Sequence, residues 1–82
     1  MLTSDQVRAA RALIRWSAQN LADESGVSWK TIQRMEAADG VPSATVKNLK
    51  AIQDTLENAG VIFIDADDEG PGVRLRRDHA GQ

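Results

Sequence analysis

The sequence predicts a mainly α-helical domain that ends in a short β-hairpin, on three observations. Apolar residues recur at helical spacing through residue 56. Serine, threonine, glycine and proline punctuation divides that region into four stretches. Beyond Gly60 the pattern changes to short β-branched runs around Gly70-Pro71-Gly72. The chain has 82 residues, enough for one small domain with a modest core, and its 41% hydrophobic content fits a folded protein. Residues 1–60 read as the helical domain and residues 61–82 as a hairpin and tail.

The first helix is expected to start at Thr3. Thr3 and Gln6 have the spacing of a capping box, in which each side chain bonds the other's backbone N–H. Leu2 and Val7 stand where a hydrophobic staple clamps the entry. Val7, Ala10, Leu13 and Ile14 supply the apolar stripe, and Arg8, Arg11 and Arg15 share another face. Trp16, at the helix end, is expected in the core.

Ser17 breaks the first helix and caps a second one running to Ser25. Gly26 ends it, because glycine enters the left-handed region at little cost. Ser28 caps a third helix over Trp29 to Ala37. Leu21, Val27, Ile32 and Met35 face inward, and the small Ala22 lets the two helices approach closely. Gly40-Val41-Pro42-Ser43 is a loop signal, with Ser43 as the expected cap of a fourth helix. Val46, Leu49, Ile52 and Leu56 form that helix's stripe, and Gly60 closes it.

Val61-Ile62-Phe63-Ile64 reads as a strand that is apolar on both faces. Val73-Arg74-Leu75-Arg76 alternates and reads as a second strand with one wet face. A lone hairpin is marginal in water. One face is therefore expected on the helices, and the other, or the strand edge, against a second subunit. Val61, Ile62, Phe63, Ile64, Val73 and Leu75 are the candidate dimer-interface residues. The competing reading is a purely intramolecular cap over the helices.

Composition narrows the function classes. No cysteine is present for a disulfide, a thiolate nucleophile or zinc. His79 is the single histidine and lies near an end expected to fray, with no cysteine or second histidine to help hold zinc and no plausible serine partner for a Ser-His-Asp triad. Asp65-Ala-Asp67-Asp-Glu69-Gly70 imitates the opening of an EF-hand loop, but Pro71 follows the glycine and Arg76 stands at the twelfth position. There is no phosphate-binding glycine loop. These readings lead to a non-enzyme with no metal and no cofactor. The longest apolar run is far too short for a membrane span, and Met1 to Asp5 lacks the features of a secretory signal, so a cytoplasmic location is expected.

The stretch Ala18-Gln-Asn-Leu-Ala-Asp-Glu-Ser-Gly-Val-Ser-Trp-Lys-Thr-Ile-Gln-Arg-Met-Glu36 closely resembles the helix-turn-helix of the phage repressor and Cro (XRE-type) family of regulators. The resemblance covers about residues 3–60. It implies a lambda-repressor-like four-helix domain whose third helix enters the major groove of double-stranded DNA. Carried onto this chain, the base-contacting candidates are Ser28, Trp29, Lys30, Gln33 and Arg34. Arg34 suits guanine O6 and N7, and Gln33 suits adenine. The competing role for Arg34 is a salt bridge to Glu36 or Asp39, and for Trp29 packing on the domain surface.

Phosphate-contacting candidates are Ser17, Gln19, Thr31, Ser43 and Lys47, with capping the competing role for Ser43. The family's usual glutamine at the start of the second helix is replaced by Ala18, which removes one expected contact. The net charge is −2, with acids concentrated in the tail at Asp65, Asp67, Asp68 and Glu69. Sequence-independent attraction of one subunit to DNA is therefore expected to be weak, which favours a homodimeric repressor reading an inverted repeat. An antitoxin whose tail binds a toxin, and a protein-interaction adaptor, are the alternative readings.

Overall fold

The structure is a computed structural model and describes residues 2–38 and 44–77. Four helices precede a two-stranded antiparallel hairpin: α1 (Ser4–Leu13), α2 (Ala18–Ser25), α3 (Trp29–Ala37), α4 (Val46–Asn58), β1 (Val61–Ile64) and β2 (Gly72–Leu75). The chain is thus mainly α with a C-terminal hairpin, as expected.

Local chemistry sets the helix starts. The Thr3–Gln6 capping box opens α1, and Ser17 with Asn20 forms a second one at α2. The Ser28 side chain accepts from the Thr31 N–H and opens α3. The fourth start departs from expectation: Thr45, and not Ser43, caps α4 by accepting from the Asn48 N–H. Ser43 lies outside the described residues.

The ends of α1 and α2 use left-handed residues. Gly26 closes α2 at φ 76°, and its N–H reaches the Ala22 carbonyl. At the end of α1 the same job falls to Arg15, at φ 59°. There the Trp16 N–H returns to the Arg11 carbonyl and the Arg15 N–H to the Ala12 carbonyl, a Schellman closure normally built with glycine.

The core comprises Leu2, Val7, Ala10, Leu21, Ala22, Val27, Ile32, Met35, Ile52, Leu56 and Val61. The inward roles expected for Leu21, Val27, Ile32 and Met35 hold, and Trp16 packs half-buried against the same cluster. Two expected stripe residues point elsewhere. Leu13 is 40% exposed and Val46 is 79% exposed. At 3.6 residues per turn, each lies roughly 100° from the direction of its helix's buried residues, so proximity in sequence to the stripe did not place it inside.

The hairpin pairs Val61 with Leu75, Ile62 with Arg74, Phe63 with Val73 and Ile64 with Gly72. The second strand therefore begins one residue earlier than Val73. Val61, Phe63 and Val73 turn inward, and Val61 is 2% exposed. This removes Val61 from the expected six-residue interface. Val61 is enclosed by its own chain, and Phe63 and Val73 pack on the same core, which leaves Ile62, Ile64 and Leu75 outside the core cluster.

Gln6 secures the hairpin to α1. Its side-chain NH₂ donates to the Ile64 carbonyl at 3.0 Å and the Gly72 carbonyl at 2.9 Å, while its Oε1 accepts from the Thr3 N–H. One buried amide caps a helix and bridges both strands where they enter the turn. Ser4 Oγ, by contrast, is buried without a hydrogen-bond partner among the described residues.

Candidate nucleic-acid interface

The α3 helix divides cleanly. Ile32, Met35 and Glu36 are buried, whereas Ser28, Trp29, Lys30, Gln33 and Arg34 are exposed. The buried side fixes the helix on α1 and α2, so the outward side is held by a rigid support. At 1.5 Å per residue the nine-residue helix is about 13 Å long.

The decisive anchor is polar. Arg11 Nε and Nη2 each donate to a carboxylate oxygen of Glu36 at 2.8 Å, and Arg11 Nη1 donates to the Trp16 carbonyl at 2.9 Å. Arg8 Nη1 donates to the Glu36 carbonyl, and Arg8 Nη2 pairs with Asp5. The end of α3 is thereby tied to two arginines of α1. Glu36 pushes the Arg11 pKa further above its ordinary value by accepting its hydrogen bonds, with burial opposing.

This arrangement removes Glu36 as the competing partner of Arg34. Glu36 is engaged by Arg11, and Asp39 lies outside the described residues. The contact made by Arg34 is instead with Thr31 Oγ1, at 3.4 Å. Ser28 Oγ also donates to Thr31 Oγ1, at 2.9 Å, while accepting from the Thr31 N–H at 3.2 Å. The Ser28 hydroxyl is therefore occupied in capping, and Thr31 is half-buried between its neighbours. Lys30 and Gln33 extend from the exposed side of α3.

Trp29 is 45% exposed, so about half of its indole packs on the domain and half meets solvent. Among the described residues no acidic side chain is exposed on α3, which gives its outward face the two positive charges of Lys30 and Arg34. The α2 helix is different. Gln19 Nε2 donates to Asp23 Oδ1 at 2.9 Å, and Asp23 and Glu24 are both exposed.

The remaining phosphate candidates divide. Ser17 is exposed at the start of α2, with its hydroxyl capping Asn20. Lys47 is exposed in the first turn of α4. Sequence reasoning placed both, but it did not find the Arg11–Glu36 pair or the left-handed Arg15. The only sequence signal for the pair was the alignment of Arg8 and Arg11 on one face, which does not name a partner 25 residues away.

A shallow cleft of about 230 Å³ lies elsewhere, lined by Thr3, Asp5, Gln6, Ala9, Pro71, Gly72 and Val73. It falls below the usual size of ligand sites, and the Gln6 amide is already fully engaged. Among the described residues, no three His, Cys, Asp or Glu side chains converge, and no helix is long and apolar enough to cross a membrane. His79 lies outside those residues. Compared with known protein families and with curated proteins, the chain gives no match.

Proposed function

We propose that this protein is a sequence-specific DNA-binding transcriptional regulator of the phage repressor and Cro type, acting as a homodimeric repressor. The observation that carries this reading is the two-sided α3 helix: Trp29, Lys30, Gln33 and Arg34 exposed, with Ile32, Met35 and Glu36 holding it from behind. A helix fixed in this way presents side-chain donors to base edges without first having to be ordered. Arg34 offers two donors to a guanine and Gln33 a donor–acceptor pair to an adenine. Lys30 adds charge at the groove wall, and the exposed half of Trp29 meets a thymine methyl or a sugar.

Phosphate contacts hold the register. Ser17, Gln19 and Thr31 flank the groove on one side, and Lys47 with the start of α4 on the other. The domain measures 32 × 30 × 18 Å. Two copies side by side are therefore of the right size to set their α3 helices one DNA turn apart, about 34 Å, on an inverted repeat. Repression by occlusion of polymerase is the simplest mechanism for a domain of this size. It calls for no cofactor and no catalytic residue, and it requires the protein to share a compartment with the DNA.

The test is a titration of isotopically labelled protein with a random duplex pool at low salt, followed by selection of bound sequences. The expected result is that amide signals of residues 28–37 move first, and that selection recovers a two-fold symmetric site. Unmoved α3 signals across the pool would refute the reading. Loss of binding with rising salt is expected, because released counterions drive the phosphate contacts.

A further inference from the structure

The hairpin carries a charge pattern that groove binding does not use. At its turn end stand the exposed acids Asp65, Asp67, Asp68 and Glu69. At its open end stand the exposed Arg74, across from Ile62, and the exposed Arg77. Between them lies the strand face that carries Ile62 and Ile64, each half-buried and outside the core cluster. Arg74 lies two residues, about 7 Å, from Gly72 at the turn end, and Arg77 stands further out past the end of β2. The acids and the arginines therefore sit toward opposite ends of the hairpin.

We infer that this face is a self-complementary docking surface for a second copy of this chain, with the two hairpins facing each other in opposite directions. A two-fold axis through the face sets the acidic turn of one copy on Arg74 and Arg77 of the other, twice over. It also sets Ile62 of each copy against Ile64 of the other. The same-direction arrangement puts four acids against four acids and is repelled. Charge selects the orientation, and the isoleucines supply the apolar burial. Gln6 holds the turn end in place from behind through the Ile64 and Gly72 carbonyls, so the surface is preformed. Two isoleucines per copy are well below a standard interface, so the association is weak and in the micromolar range.

This proposal rests on the homodimer reading and specifies its surface. It is tested on the full chain by sedimentation and light scattering over a wide concentration range. One variant carries D68R with E69R, and a second carries R74E with R77E. All four side chains are exposed, and circular dichroism checks that each variant is folded. The wild type is expected to self-associate. Each variant alone is expected to show at least a tenfold weaker association, and an equimolar mixture is expected to recover pairing within about threefold of wild type. I62S is expected to weaken pairing in every background. A wild type that stays monomeric throughout overturns the proposal, as do variants that associate like wild type or a mixture that fails to recover. Binding to a half-site duplex reports α3 separately: if the wild type pairs but binds no DNA, the DNA reading falls and this one stands.

Discussion

Arg11 and Glu36 form a two-pronged ion pair that joins α1 to the end of α3, with both N···O distances at 2.8 Å. The arginine side chain is 24% exposed and the glutamate 11%. Breaking a buried pair costs more than forming it gains, because the surviving charge is left desolvated. Glu36→Gln is expected to cost about 2–3 kcal/mol in urea unfolding, somewhat below the fully buried range because water reaches part of the pair. Asp5→Asn, which removes the exposed partner of Arg8, is expected to cost less than about 0.5 kcal/mol. Equal losses would contradict the assignment. The raised pKa of Arg11 gives stability that is complete below its ordinary value and lost only as pH rises past the raised one. Arg11 therefore adds no pH slope to stability near neutrality.

Gln6 links the start of α1 to both strands. Gln6→Ala removes two donors from the Ile64 and Gly72 carbonyls and the acceptor from the Thr3 N–H. The expected cost is about 2 kcal/mol, since partly buried carbonyls are left unsatisfied. Gln6→Glu keeps the Thr3 contact but sets a carboxylate against two carbonyls, and it is expected to loosen the hairpin selectively. Hydrogen exchange checks this: protection should fall at residues 61–64 and 72–75 more than in α2 and α3.

Two left-handed positions predict opposite outcomes. A Cβ at Gly26 would meet no atom within 4 Å, so Gly26→Ala tests backbone conformation alone. It is expected to destabilise by about 1 kcal/mol. Arg15 occupies the same region at φ 59° with a side chain. Arg15→Gly relieves that cost, less the entropy of a freer unfolded chain, and is expected to raise the melting temperature by about 2–4 °C.

The groove assignment is tested by two residues with different roles. Arg34→Ala is expected to cost about 1–3 kcal/mol on the selected site and to relax preference at one base pair. Lys47→Ala is expected to weaken all duplexes alike and to lower the salt slope by about one. Quantitative binding to the selected site and to single-base variants distinguishes them. Sequence-blind losses from both substitutions would refute the division of roles between Arg34 and Lys47.

The helix starts and the glycine corner were legible because each depends on a few adjacent residues. Thr3 with Gln6, Ser17 and Ser28 satisfy the first N–H groups of their own helices whatever the rest of the chain does. The inward residues of α2 and α3 followed from period alone. Thr45 escaped because Ser43 and Thr45 both suit a cap, and local pattern does not rank them. Leu13 and Val46 escaped because each projects roughly 100° away from its helix's buried direction although its spacing lies near the stripe.

The sequence by itself determined the order of the elements, the caps that open the first three helices, and which helix turns a basic, polar face outward. The tertiary structure alone decided that Arg11 meets Glu36, that Gln6 bridges two strands, and that Val61 faces inward while Ile62 and Ile64 do not. The physical reason is range. Capping and periodicity act within one or two turns of chain. The Gln6 contact with Ile64 spans 58 residues, and its partner is chosen only when the helices have packed and brought those backbone carbonyls within reach.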